Sequence, residues 1–224
     1  MRYKTVLFDL DGTLLDTLDD LTAAVNYALA AHGFPTRARM EVRSYLGNGL
    51  RMTVRRAVPE GTPEDTAMSV YETLCPYYAA HALDATRLYP QAEAALDALA
   101  NVGIQTAVVS NKADFAVQTL HKRFFAGRSA LSIGERSGCR RKPAPDMVDL
   151  ALSLLEADRE QTVYVGDSEV DAQTAENSGL ACILVDWGFR DRAQLEPLGW
   201  PVVSTGAALC REILEGSDPR CRNR

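Results

Sequence analysis

The chain has 224 residues, of which 46% are hydrophobic and 24% are charged. These proportions argue against a disordered chain, and the length suits one large domain or a core with one smaller unit. The net charge of −6 opposes binding to a phosphate backbone, so nucleic acid is not an expected partner.

The sequence shows no signal for a membrane or a secretory route. No apolar run approaches the roughly 18 to 20 residues that span a bilayer, and two aspartates interrupt the N-terminal segment where a signal peptide needs a continuous apolar stretch. The five cysteines are an odd number without a CxxC pair, which favours reduced thiols. We therefore expect a cytoplasmic protein with no membrane partner, either a monomer or a homodimer.

Short apolar runs that do not alternate with polar residues predict strands buried on both faces. They lie at 6–8, 104–109, 163–165 and 182–185, with a short fifth run at 202–203. Helical periodicity fills the intervals, including helices that open at Pro90 and Pro145 and a third at 169–178. Strands that alternate with helices predict an α/β fold with a Rossmann-like, doubly wound parallel sheet.

One interval breaks this alternation, because the first two strand runs are about three times farther apart than a simple βαβ unit needs. The excess predicts helices at 17–32, 39–46, 49–58 and 63–83, with Thr17 and Asp20 as a capping pair at the first. We predict an all-helical domain inserted into the α/β core. The predicted bounds are 1–14 and 89–216 for the core, 15–88 for the insertion and 217–224 for a disordered tail.

Carboxylates follow two of the predicted strands. Asp9 and Asp11 lie two residues apart, so an extended backbone would point them the same way, and their repulsion calls for a cation or a shared proton. Asp167 and Asp171 form a second cluster, although Asp167 could be a helix N-cap and Asp171 a first-turn residue favoured by the helix dipole. The ends of parallel strands are where ligands bind, so together the clusters predict a site for a hard cation such as Mg²⁺.

Two further residues have a possible chemical role and a plain structural alternative. Ser110 ends a strand at the start of a helix, where a hydroxyl and backbone amides can bind an anion or simply cap the helix. Lys142 stands just ahead of the helix that Pro145 opens, or belongs to a solvated basic loop with Arg140 and Arg141.

Four motifs in this order resemble those of the haloacid dehalogenase superfamily of phosphohydrolases. They are Asp9-Leu10-Asp11-Gly12-Thr13, Val108-Val109-Ser110-Asn111-Lys112, Lys142-Pro143-Ala144-Pro145, and Val165-Gly166-Asp167-Ser168 with Asp171. The insertion lies where this family carries a helical cap. Within the superfamily, residues 47–51, 88–90 and 187–190 are most similar to the phosphoglycolate phosphatases.

The resemblance implies a set of catalytic residues. Asp9 would be the nucleophile that forms an aspartyl-phosphate, and Asp11 would be the general acid and then the general base. Ser110 would take a phosphate oxygen, and Lys142 would neutralise charge between Asp9 and the phosphate. The family's cofactor is Mg²⁺, and its implied ligands are Asp9, the backbone carbonyl of Asp11, Asp167 and Asp171.

The resemblance also implies substrate-binding residues in both domains. In the core these are Thr13 and the backbone of Asn111. In the cap, Asn48 and Gly49 belong to a tight loop that can approach a small ligand, and Arg51 could meet a substrate carboxylate. A solvated helix face is the alternative for the arginines that follow this loop.

The expected activity is Mg²⁺-dependent hydrolysis of a small phosphomonoester, with 2-phosphoglycolate as the best guess. A phosphosugar mutase similar to β-phosphoglucomutase is an alternative, as is a phosphatase for pyrophosphate or a nucleoside monophosphate. A dehalogenase is disfavoured, because Asp11 would have no alkoxide to protonate. A non-catalytic phosphate-binding module is expected to lack Asp9 or Asp11, and both are present.

Overall fold

The computed structural model describes residues 2–47 and 49–216, and it divides the chain into two compact units. The first, called here the α/β unit, is formed by Met1–Leu15 and Leu88–Arg224. The second, called the helical unit, is formed by Asp16–Arg87. The predicted tail at 217–224 lies outside the described residues.

Eight strands are found in the described residues, and six of them form one parallel sheet. In chain order they are β1 (Thr5–Phe8), β2 (Leu15–Asp16), β3 (Arg87–Leu88), β4 (Gln105–Ala113), β5 (Leu131–Glu135), β6 (Thr162–Gly166), β7 (Ala181–Val185) and β8 (Val202–Val203). The sheet has the order β5-β4-β1-β6-β7-β8, while β2 and β3 pair separately. Every pairing in the large sheet is parallel.

The strand order places a topological switch at β1. From β1 the chain builds β4 and β5 on one side and later β6, β7 and β8 on the other. In open α/β sheets such a switch opens a crevice at the carboxyl ends of the central strands, where ligands bind. The α/β class predicted from the sequence is confirmed. The strand β5 is a finding of the structure, because the sequence patterns predict no strand at 131–135.

Ten α-helices occur in the described residues. They are α1 (Leu18–Ala31), α2 (Arg39–Tyr45), α3 (Leu50–Ala57), α4 (Glu64–His81), α5 (Pro90–Asn101), α6 (Asp114–Leu120), α7 (Asp146–Leu155), α8 (Glu169–Asn177), α9 (Arg192–Leu195) and α10 (Gly206–Glu215). The first four make up the helical unit, and a π-helical turn, His121–Phe125, follows α6.

The sheet of the α/β unit is covered on both faces, which is the doubly wound arrangement. Val6 and Phe8 of β1 pack on one face against α5 and α10, and Leu7 packs on the other against α7. All three side chains are at most 1% exposed. Successive strand residues point to opposite faces, so a strand buried on both sides must be apolar throughout. This explains the unbroken apolar runs in the sequence.

The predicted capping pair at the start of α1 is wrong. Thr17 occupies the N-cap position, but its side chain makes no capping hydrogen bond, and among the described residues its hydroxyl has no partner. Asp20 instead accepts hydrogen bonds from the backbone amides of Ala85 and Thr86, both at 2.9 Å, and from the Thr86 hydroxyl at 2.7 Å. A buried carboxylate needs several donors, and Asp20 finds them in the segment after α4.

Candidate active site

Three buried carboxylates converge at the carboxyl ends of the central strands. Asp9 directly follows β1, Asp167 directly follows β6, and Asp171 lies in the first turn of α8. One oxygen from each lies within 4.8 Å of the others. The topology explains the meeting, because β1 and β6 are neighbours and end at the same edge of the sheet.

The ammonium group of Lys142 lies among these acids and is almost fully buried. Its Nζ donates to Asp9 Oδ1 at 2.6 Å, to Asp171 Oδ1 at 2.8 Å and to the Tyr164 hydroxyl at 3.0 Å. Burial alone favours the neutral amine, but the Asp171 and Asp9 carboxylates hold the pKa of Lys142 well above its ordinary value. Lys142 therefore remains a cation, and its three N–H groups all have acceptors.

Burial also changes the ionisation of the acids. Removal from water raises the pKa of Asp9 to about 7, although the Lys142 ammonium works in the opposite direction. Burial raises the pKa of Asp167 well above its usual range, and the charges of Asp171 and Asp9 add to the effect. A single lysine therefore does not fully stabilise the ionised carboxylates.

The charges and ligand atoms of this cluster fit a divalent cation. If the three acids are ionised, Lys142 balances one of them and two negative charges are left. Arg190 partly offsets the raised pKa of Asp167, but its ion pair with Glu169 at 2.9 Å brings an equal negative charge, so the pair adds no net positive charge. The available ligand atoms are all oxygens, as Mg²⁺ prefers. The cluster of Asp9, Asp167 and Asp171 thus fits a site for a divalent metal.

Asp171 is held by many donors from the protein itself. Its Oδ1 accepts from Lys142, and its Oδ2 accepts from the Ser168 hydroxyl at 2.6 Å and from the backbone amides of Asp167 and Ser168, both at 3.2 Å. These bonds fix the carboxylate beside Lys142. Ser168, and not Asp167, is the N-cap residue of α8, which leaves the Asp167 side chain available for another role.

Asp167 is fixed from two sides by the chain around it. Its Oδ1 accepts from the Thr13 hydroxyl at 3.2 Å, and its Oδ2 accepts from the Phe189 amide at 2.6 Å. Gly188 permits this close approach, because a Cβ there would lie 2.2 Å from the Gly12 carbonyl oxygen and 2.4 Å from Asp167 Oδ2. The Thr13 side chain is buried and serves this bond, and its predicted contact with substrate stays a prediction.

Asp11 forms an ion pair with a second lysine. Lys112 Nζ donates to both Asp11 oxygens, at 2.9 and 3.1 Å. The two side chains are 7% and 21% exposed, so this ion pair is largely screened from solvent. Lys112 belongs to the motif at 108–112, but no role is predicted for its side chain from the sequence. The metal contact predicted for Asp11 uses its backbone carbonyl and stays a prediction.

The prediction that Ser110 ends a strand at the start of a helix is wrong, because β4 continues to Ala113 and Ala113, not Ser110, is the N-cap of α6. Ser110 is 2% exposed, and its Oγ accepts from the Lys112 amide at 3.1 Å. The Asn111 side chain does not point to a carboxylate but bonds the backbone of Lys142, with its Oδ1 accepting from the Lys142 amide at 2.7 Å. Phosphate binding by Ser110 and by the Asn111 backbone stays a prediction.

The residues predicted in the cap lie in the helical unit. Gly49 is the N-cap of α3 with a φ of 81°, a conformation that favours glycine. Arg51 pairs with Glu64 at 2.8 Å, and both side chains are more than half exposed. Asn48 lies outside the described residues. Substrate binding by these three residues stays a prediction, as does the action of this unit as a cap.

Two groups that hold the charged side chains in place have no role predicted from the sequence. Tyr164 lies inside the buried strand β6, where an aromatic residue looks like part of the core, yet its hydroxyl contacts Lys142 and donates to the Val109 carbonyl at 3.2 Å. The Phe189 amide donates to Asp167; Phe189 lies in the segment 187–190 that carries the family resemblance, but no contact with Asp167 is predicted for it from the sequence.

Residues 6–185 match the family of haloacid dehalogenase-like hydrolases. The chain therefore belongs to this family. A phosphoglycolate phosphatase from Pseudomonas syringae pv. tomato is 30% identical over 97% of this chain and 79% of its own length. Phosphoglycolate phosphatase 1 from Pseudomonas aeruginosa is 33% identical over 83% of this chain and 70% of its own length.

A solved structure is also very similar in fold. It is a crystal structure from Lactobacillus delbrueckii subsp. bulgaricus, of a protein described provisionally as a phosphoglycolate phosphatase. The TM-score is 0.91 and the identity 36%, with 96% of this chain and 100% of that chain covered. The predictions that the chain is an enzyme, a phosphatase of the haloacid dehalogenase superfamily, are confirmed. Among the described residues, no helix has both the length and the apolar character required to span a bilayer.

Proposed function

We propose that this enzyme hydrolyses 2-phosphoglycolate in a Mg²⁺-dependent reaction that passes through an aspartyl-phosphate at Asp9. The observation that carries the proposal is the bond of Lys142 to Asp9 inside a cluster of three buried carboxylates. Such a cluster is costly to fold and is expected where its charges are used. The substrate is supported by the names of the relatives described above.

The divalent cation would be held by Asp9, Asp167 and the backbone carbonyl of Asp11. Asp171 would bind the cation directly or through a water molecule, since its oxygens already accept hydrogen bonds from Lys142 and Ser168. When bound, the cation supplies positive charge that favours ionised Asp9 and offsets the charge of the phosphate.

In the first step, a carboxylate oxygen of Asp9 forms a bond to phosphorus. The bond from phosphorus to the ester oxygen breaks, and its electron pair goes to the leaving alkoxide, which takes a proton from Asp11. Asp9 suits this attack because Lys142 fixes its Oδ1 at the end of β1. Transfer of a phosphoryl group depends mostly on such positioning and electrostatic stabilisation.

In the second step, water replaces Asp9 on phosphorus. Asp11, now a carboxylate, takes a proton from the water as its oxygen bonds to phosphorus, and the Asp9–phosphorus bond breaks. Inorganic phosphate is released, and both aspartates return to their starting forms. Lys112, whose Nζ donates to both Asp11 oxygens, would hold the Asp11 side chain in place during this step.

Substrate-binding roles are proposed for residues of each unit. Ser110 and the Asn111 backbone would bind phosphate oxygens. Thr13 would also bind the substrate. Asn48, Gly49 and Arg51 of the helical unit would act as the cap, with the Arg51 guanidinium binding the carboxylate of 2-phosphoglycolate.

The test is a panel of substrates assayed with the full chain and Mg²⁺. It compares 2-phosphoglycolate with β-glucose 1-phosphate, pyrophosphate and nucleoside monophosphates, and it measures both phosphate release and isomer formation. We expect the highest kcat/KM for phosphate release from 2-phosphoglycolate, and none from the Asp9→Asn variant. Isomer formation without phosphate release would instead establish a mutase.

We also propose a cytoplasmic location. Cys75, Cys139, Cys182 and Cys210 form no disulfides in the described part of the chain, which agrees with a reducing compartment. The expected partner is the small phosphorylated substrate, with no nucleic acid and no membrane. We propose that the enzyme is a monomer or a homodimer.

A further inference from the structure

The backbone around Lys142 has no regular secondary structure to hold it. Lys142 lies between β5 and α7, in a segment where residues 136–145 belong to neither helix nor strand. Within this segment the Cys139 amide donates to the Arg136 carbonyl at 3.3 Å and the Ala144 amide donates to the Arg141 carbonyl at 2.9 Å, and neither bond uses the amide or the carbonyl of Lys142. The Lys142 Nζ nevertheless lies 2.6 Å from Asp9 Oδ1. Some other contact therefore has to fix the backbone of Lys142.

The Asn111 side chain provides that contact. Its Nδ2 donates to the Lys142 carbonyl at 3.0 Å, and its Oδ1 accepts from the Lys142 amide at 2.7 Å. One side-chain amide thus satisfies both polar groups of one residue, much as a neighbouring strand would. The two residues are 31 positions apart, so the pair joins the motif on β4 to the lysine loop.

The course of β4 explains why Asn111 is available for this bond. The ladder between β4 and β5 shifts register between Val109 and Ala113, and Asn111 lies in that interval. An amide is the side chain that offers a donor and an acceptor side by side. A carboxylate at this position would place an acceptor against the Lys142 carbonyl, and alanine would leave both groups of Lys142 without this partner.

We propose that the Asn111 side chain is a positioning residue that acts through Lys142 by fixing the backbone from which the ammonium reaches Asp9. The inference rests on the proposed function, in which Lys142 serves the transfer of the phosphoryl group to Asp9. Asn111 is assigned no contact with phosphate through its side chain. Its backbone amide, which is the predicted phosphate donor, is unchanged by substitution of the side chain.

The test uses Asn111→Ala with Asn177→Ala as a matched control. Asn177 makes a similar bond one residue further on, where its Nδ2 donates to the Pro143 carbonyl at 2.8 Å, but it contacts the loop from an exposed position. We expect Asn111→Ala to lower kcat for 2-phosphoglycolate about 10- to 100-fold with KM unchanged, because a displacement near 1 Å can cost about 100-fold. Asn177→Ala should keep the activity of the unaltered enzyme.

A double-mutant cycle distinguishes positioning from direct action. If Asn111 acts through Lys142, then Asn111→Ala should have little further effect on kcat in a Lys142→Met background. Independent losses that multiply in the double variant would overturn the proposal. A rise in KM with an unchanged kcat in the single variant would also overturn it, since that result indicates direct binding of substrate.

Amide hydrogen exchange gives a readout that needs no activity and no double variant. The exchange rate of the Lys142 amide, measured by NMR, should rise several-fold in Asn111→Ala and stay unchanged in Asn177→Ala. An unchanged rate in Asn111→Ala would contradict the proposed contact. If the unaltered protein hydrolyses no member of the panel, the proposed function fails by itself, and the exchange rate still decides whether Asn111 holds the Lys142 backbone.

Discussion

Replacement of Lys142 by methionine tests how the buried charges are balanced. Methionine has a similar length but no charge, so Lys142→Met leaves Asp9 and Asp171 without their common cation. The side chains of Lys142 and Asp171 are 3% and 1% exposed, so water cannot replace the lost partner. Removing one member of a buried ion pair typically costs about 3–5 kcal/mol.

This cost converts to a lower midpoint of thermal unfolding. For a chain of this size, 1 kcal/mol shifts the midpoint by about 2–4 °C, so we expect a decrease of roughly 6–20 °C in EDTA. The assay is circular dichroism of purified protein. Arg140→Met is the control, because Arg140 pairs with Asp146 from a side chain that is 75% exposed, and its loss should leave the midpoint almost unchanged.

The loss of stability in Lys142→Met should increase with pH. The pKa of Asp9 is raised from 3.8 to about 7 by burial, so between about pH 4 and pH 7 the folded state binds more protons at Asp9 than the unfolded state does. The contribution of Asp9 to stability therefore falls as pH rises through this window. Without Lys142 the ionised acid is less stable still, so the Lys142→Met penalty should be larger at pH 8 than at pH 5. An equal loss of stability at pH 5 and pH 8 would contradict the proposed charge balance, as would an unfolding midpoint of Lys142→Met equal to that of Arg140→Met.

Three other predictions concern the metal, the packing and the substrate. Saturation with Mg²⁺ at about 100 times its Kd should stabilise the protein by about 2.7 kcal/mol, and Asp167→Asn should lose most of this thermal shift; a full shift in the variant would contradict the site. Gly188→Ala should cost about 1–3 kcal/mol in a denaturant titration, since its Cβ would lie 2.2 Å from the Gly12 carbonyl oxygen, and an unchanged midpoint would argue against that close packing. Arg51→Ala should raise KM for 2-phosphoglycolate about 10-fold or more but spare esters without a carboxylate; an equal effect on both would remove Arg51 from carboxylate recognition.

Most of the fold could be predicted from the sequence because buried parallel strands need continuous apolar residues. Within the six-stranded sheet the exception is β5, since Ser132 and Gly134 interrupt its apolar run. Gly134 has a structural reason, because a Cβ there would lie 2.5 Å from the Asp114 Cα. Close packing between neighbouring segments thus replaced the apolar signal on which the sequence prediction depends.

The charged residues of the site could also be predicted, but not all of the contacts that hold them. Asp9 and Asp167 each follow an apolar run that predicts a strand. Because ligands bind at the carboxyl ends of parallel strands, both residues can be assigned to one site from the sequence. The bonds from Asn111 to Lys142 and from Lys112 to Asp11 join distant parts of the chain and have no local pattern. Tyr164 could not be distinguished from a core residue, because its hydroxyl finds a polar partner only in the folded sheet.

The pairing of Thr17 with Asp20 illustrates a limit of local motifs. The sequence spacing suits a helix cap, yet Asp20 is 4% exposed and bonds to the segment after α4 instead. A buried carboxylate gains more from two backbone amides and a hydroxyl than from one capping bond. Tertiary contacts therefore outweighed the local preference.

The most direct test of the proposed mechanism is to trap the covalent intermediate at Asp9. Enzyme mixed with 2-phosphoglycolate and Mg²⁺ is quenched during turnover and treated with borohydride, which reduces an aspartyl-phosphate to homoserine. Mass spectrometry of the peptide that contains Asp9 should then show homoserine at this position, and no such product without substrate. Turnover with an unmodified Asp9, or reduction at a different aspartate, would contradict the assignment of Asp9 as the nucleophile.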